Sequence, residues 1–251
     1  MIPCRRRSPG TGFTLVEVLI VTLILGVFLT VGYSLFFGGQ RVAGKAAWLQ
    51  YTAADLRQAE LAITRAIQTT SYPSTLLPTK LVDAGGTTTT PGPNSAAFYV
   101  RIPGGIGKKT AKTLLGLPDR ILLSMARCSP EKQGFAAGEN RVGSLTFLLL
   151  RLEKSREKAD QGTLIYEERA TTYATTGPDY STGLAVDPTS LPVSFRMELV
   201  KNVESITIDA VPGHVPSKVT VTIAAAYPRD AKVTREGTSA AVPNVGVFAG
   251  P

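Results

Sequence analysis

The sequence predicts an α+β fold: one long N-terminal helix, membrane-spanning in its first half and amphipathic in its second, packed against an antiparallel β-sheet domain. Three observations predict it. Residues 13–37 form an apolar run in which Glu17 is the only charged side chain. Beyond Gly39 the apolar residues recur at helical spacing, and from Ala96 onward short segments alternate apolar and polar residues and are rich in Val, Ile, Thr, Tyr and Phe. A helix first and strands afterwards belong to the α+β class.

A chain of 251 residues with 43% apolar side chains has enough material for a sizeable core. Its formal charge of +8 suggests a negatively charged partner, nucleic acid or an anionic membrane, but Arg5, Arg6 and Arg7 concentrate part of the excess in the first twelve residues. Cys4 and Cys128 are the only cysteines. Loss of the leader leaves a single thiol, so the body has to hold together by packing rather than by disulfides.

The first element is the apolar run. As a helix, residues 13–37 rise about 37 Å, enough for a hydrocarbon core of about 30 Å with some tilt. No A-x-A-like site closes the run, which separates it from an ordinary cleaved secretory signal. The arginines ahead of it favour a cytoplasmic N-terminus and an extracytoplasmic body, although Arg41 and Lys45 behind it reduce the asymmetry. A plain anchor does not explain Glu17. A carboxylate in a span costs about 2.5–3.5 kcal/mol on insertion scales and is usually paired. No Lys, Arg or His lies within the span, so the partner has to come from elsewhere. A cut between Gly12 and Phe13 would create one, an α-amino group one helical turn from Glu17.

Residues 12–26, GFTLVEVLIVTLILG, following a short basic leader, resemble the class III signal of type IV prepilins and type II secretion pseudopilins. The resemblance implies that a prepilin peptidase removes residues 1–12, cutting between Gly12 and Phe13 and N-methylating Phe13. It implies that Glu17, fifth in the mature chain, guides docking into a helical filament. The implied partners are other pilin or pseudopilin subunits and an inner-membrane assembly platform. The implied location is the bacterial inner membrane, single-pass, and from there a filament; no cofactor is implied. Many major pilins carry a proline at the position of Ser34, so any bend here has to come from Gly26, Gly32 or Gly38–Gly39.

The second element, residues 40–71, continues the helix. Val42, Ala46, Leu49, Ala53, Leu56, Ile63 and Ile67 form an apolar stripe that only Glu60 interrupts, and Arg41, Lys45, Gln50, Arg57 and Arg65 lie opposite. The helix should end near 69–71, because Tyr72 precedes Pro73. Trp48 reads as an anchor into the core or a groove. Residues 72–95, rich in Thr, Pro and Gly, read as a loop, and residues 96–230 as a β-rich extracytoplasmic domain. Its strands are expected at 96–102, 120–128, 143–152, 163–171, 193–199, 205–211 and 218–225. Residues 231–251 read as a flexible tail. The segment ELVKNVESITIDAVPGHVPSKVTVTIAAAYP, with the mature length, is similar to large minor subunits of the PilW or J-type kind, which implies a tip or initiating position.

Two further patterns bear on chemistry. Gly105-Ile106-Gly107-Lys108-Lys109 resembles the hairpin of helix-hairpin-helix DNA-binding modules, in which backbone amides at a helix N-terminus approach a phosphate. The alternative is a surface loop and short helix, because residues 88–101 offer no preceding helix. The runner-up functions are therefore a DNA-contacting pilin and a signal-anchored extracytoplasmic protein; nucleic acid is not the expected partner. The only histidine, His214, lies in a turn, and Cys128 has no second cysteine or histidine nearby in sequence to make a metal or nucleophile site. No catalytic or metal-binding residue is assigned.

Overall fold

A computed structural model describes residues 14–71, 100–117, 119–130, 141–156, 158–175, 188–211 and 218–249. The leader 1–12, the loop 72–95, the strand start 96–99 and His214 lie outside these. The chain divides into two compact units, residues 1–47 and 48–251.

The first unit is helical from Leu15, where α1 (Leu15–Gln68) begins. Its apolar side chains are exposed throughout, from Leu15 at 81% to Val42 at 68%. The helix runs on through Gly26, Gly32, Gly38 and Gly39, and a Cβ added at any of the four would meet nothing.

In the second unit α1 packs on a sheet. Thr52, Leu56, Ala59, Ile63, Ala66 and Ile67 are buried, the spacing of one helical face. The expected stripe is met at Leu56, Ile63 and Ile67. The helix closes where expected, with Thr69 and Thr70 donating backbone N–H to Arg65 and Ile67 carbonyls.

The described strands are β1 (Val100–Ile102), β2 (Gly107–Thr110), β3 (Ile121–Pro130), β4 (Arg141–Lys154), β5 (Gly162–Thr175), β6 (Phe195–Asp209), β7 (Val219–Tyr227), β8 (Asp230–Ala241) and β9 (Val247–Ala249). They form one sheet in the order β8-β7-β6-β5-β4-β3-β1-β9. Pairing is antiparallel except between β1 and β9. Because β6 is long, β5 pairs with it up to Val203 and β2 pairs with it over Ser205–Ile208. A short helix, α2 (Ala111–Leu115), follows β2.

Two expectations are corrected here. The segments 193–199 and 205–211 are one strand, β6, rather than two. Asn202 takes a positive φ of 56° and the register shifts beside it, so the sequence that reads as a break is absorbed as a bulge. The supposed tail 231–251 contains β8 and β9. β8 reads as polar because it is an edge strand: residues 234–236 are exposed, and only Gly237, Ser239 and Ala241 in its second half are buried. The outward N–H of Thr238 is taken by Glu60 Oε1 at 3.0 Å, so the residue that interrupts the helix stripe covers a sheet edge. Gly237 lets the helix approach this closely, since a Cβ there would lie 2.7 Å from Glu60 Oε1 and 3.1 Å from Leu56 Cβ.

The core between helix and sheet holds Leu56, Ile63 and Ile67 against Met125, Leu148, Leu150, Leu164 and Ile223. Each such side chain contributes about 1.5–3 kcal/mol on burial, which is how this unit is stabilised without a disulfide. Trp48 is half-buried against the same core and stacks obliquely on Tyr227, ring centroids 5.4 Å apart.

Candidate functional site

The start of α1 is organised by Thr14 and Glu17. Thr14 precedes the helix and its carbonyl accepts the first helical bond, from Val18 N. Its hydroxyl accepts from Glu17 N at 3.3 Å, while Glu17 Oε2 accepts from Thr14 N at 2.9 Å and from Thr14 Oγ1 at 3.0 Å. This is a reciprocal capping box, which satisfies two of the backbone donors that a helix start leaves open. Glu17 therefore has a local partner that the sequence argument missed. The signal is present in the sequence as Thr14-x-x-Glu17, the spacing of a capping box. Both contacts to Thr14 use Oε2, so Oε1 takes no part in the box. Gly12 and Phe13 lie outside the described residues.

Above the box, helix 15–37 carries polar side chains only at Glu17, Thr22, Thr30, Tyr33 and Ser34. The hydroxyls of Thr22, Thr30 and Ser34 donate to the carbonyls of Leu19, Gly26 and Val31 at 2.8–3.0 Å. Such hydroxyls are satisfied within the helix, as an apolar surrounding requires. The segment is long and apolar enough to cross a membrane, as an anchor or a signal.

The segment 102–117 does not have the frame of a helix-hairpin-helix. Gly105 and Gly107 take positive φ of 73° and 99° in a turn from strand β1 into strand β2, and Lys108 and Lys109 stand on β2 opposite Thr207 and Ile206. The next helix, α2, begins four residues beyond Gly107, and Thr110 caps it by accepting from Thr113 N. The glycine amides are thus not at a helix N-terminus.

A charged cluster lies on the face of the sheet turned away from α1. Glu167 on β5 is 1% exposed and meets Arg169 at 2.9 Å and Arg151 at 3.2 Å; Arg196 reaches it at 3.9 Å and pairs with Glu153 at 2.8 Å. Burial pushes the Glu167 carboxyl up, but hydrogen bonds and charge from Arg169 and Arg151 outweigh it and hold it below its ordinary value. Arg169 also donates to the carbonyls of Thr189 and Leu191 at 2.7 and 2.9 Å, which fixes that connection to the sheet. Cys128 is buried and its thiol is pushed up to about 12 by desolvation, the opposite of a reactive thiolate. Among the described residues no group of His, Cys, Asp and Glu is placed to hold a metal ion.

No family model, curated protein or solved structure matches this chain.

Proposed function

We propose that this protein is a minor pilin or pseudopilin: a structural subunit held in the inner membrane by residues 13–39, cut after Gly12, and drawn into a type IV pilus or type II secretion filament. The observation that carries the reading is the order of features on one helix. Gly12-Phe13 stands immediately before a capped helix start, Glu17 sits in the first turn, and the exposed apolar segment continues into the amphipathic segment that packs on the sheet. A peptidase that works at the membrane surface needs its scissile bond at the edge of the span, and in the sequence Gly12-Phe13 directly precedes the apolar run. Lateral assembly of apolar helices would bury side chains such as Phe28 and Leu35, now 73% and 71% exposed.

The test is a pair of variants in cells that carry a prepilin peptidase and the cognate assembly machinery. Replacing Gly12 by a bulky residue should leave the leader on the chain, whereas Glu17→Ala should be processed but should be depleted from sheared filaments. A Gly12 variant cut as wild type, or a Glu17→Ala variant incorporated normally, would count against the reading.

A further inference from the structure

The first half of β8 leaves backbone groups open along the edge of the sheet. Thr238 N–H points outward, onto Glu60 Oε1, and the register between β7 and β8 runs without a shift from Ala241 to Thr234. Along a paired antiparallel strand the residues that face outward alternate, so the N–H and C=O groups of Glu236 and Thr234 point outward as well. Both residues are exposed, and their N–H groups meet no acceptor among the described residues. On either side a carboxylate closes the edge: Glu60 takes Thr238 N–H at 3.0 Å, and Asp230 Oδ1 takes Lys232 N–H at 3.2 Å. A short window of open donors and acceptors remains between them.

We infer that this window pairs with the same window of a second copy of the chain, antiparallel about a two-fold axis at Thr234. In that register each Thr234 N–H donates to the Thr234 carbonyl of the other copy, and each Glu236 N–H to the Lys232 carbonyl of the other copy. The N–H groups already held by Asp230 and Glu60 are not called upon. Lys232 then stands opposite Glu236 of the other copy, and symmetry repeats the pair. Both side chains are exposed and have no ion pair among the described residues. The neighbouring registers fail. An axis at Val233 sets Asp230 opposite Glu236, acid against acid. An axis at Arg235 sets the two arginines opposite each other and needs Thr238 N–H, which Glu60 holds. Charges that blunt an edge against other strands thus admit one partner in one register. A window this short buries well under about 1,000 Å², so the contact is a transient one. It does not depend on the function proposed above.

The test is a charge exchange across the axis. Full chains carrying one of two affinity tags are mixed in detergent with micelles in excess, and co-purification is followed at chain concentrations up to about 100 µM. Wild-type copies are expected to co-purify. Lys232→Glu sets acid against acid in both cross-copy pairs, and Glu236→Lys sets lysine against lysine. Each variant, matched to wild type by circular dichroism, should therefore bind itself about tenfold more weakly. Mixing the Lys232→Glu chain with the Glu236→Lys chain restores opposite charges in both pairs and should return the wild-type affinity. Wild-type copies that stay apart would overturn the pairing. So would variants that bind themselves as tightly as wild type, the result expected if another surface joins the copies, or a mixture no tighter than either variant alone.

Discussion

Glu17 has two possible duties, and its chemistry separates them. In the capping box it acts as a hydrogen-bond acceptor, which glutamine at the same helical position also provides. In the proposed filament it acts as a negative charge opposite an amino group, which glutamine cannot provide. Glu17→Gln is therefore expected to be processed like wild type yet to be lost from sheared filaments, as read by immunoblot of the filament fraction. Normal incorporation would assign the residue to helix initiation alone. Glu167 offers a residue-scale test in the body. Its replacement by Gln leaves Arg169 and Arg151 without their shared counter-charge and should cost about 3 kcal/mol, read as a lower urea midpoint of the full chain in detergent. The pH dependence has a fixed sign. The folded carboxyl titrates below its ordinary value of 4.5, so its contribution is present above that value and is lost as pH falls through the lower folded one. Acid should therefore narrow the gap between wild type and Glu167→Gln, and a gap unchanged between neutral pH and about pH 3 would contradict this assignment.

At the scale of elements, the strands with alternating apolar residues were legible because alternation reports a half-buried face directly. β4 and β5 cover the expected segments 143–152 and 163–171, and each runs beyond its segment at both ends, where the two strands go on pairing with each other. What escaped was set by contacts distant in sequence. β2, with the sequence Gly107-Lys108-Lys109-Thr110, has no apolar residue and exists because β6 offers an open edge there. β8 looks like a polar tail until Glu60 is placed against Thr238, 178 residues away. The closeness of that helix-to-edge contact makes a prediction at this scale. Gly237→Ala should destabilise the second unit by about 1–3 kcal/mol, because the nearest atoms of Leu56 and Glu60 have to move. Gly32→Ala, whose added methyl meets open space, should leave the unfolding midpoint unchanged. Equal effects of the two substitutions would remove the role given to Gly237.

For the whole molecule, the α+β architecture and the position of the apolar helix followed from the order of patterns along the chain. The chemistry at the helix start followed only in part. Glu17 stands out as the one carboxylate in the apolar run and Gly12 and Phe13 only through the resemblance to a prepilin signal, whereas Thr14, which holds Glu17, is legible only when a helix start is asked where its open N–H groups go. The central claim concerns the fate of the chain as a whole: it is cut at one bond and carries a new amino terminus into an assembly. The most direct measurement is the intact mass and N-terminal peptide of the protein recovered from membranes of cells carrying a prepilin peptidase. The account predicts a chain beginning at N-methylated Phe13 and lacking residues 1–12. A chain that keeps its leader, or begins at any other residue, would contradict it.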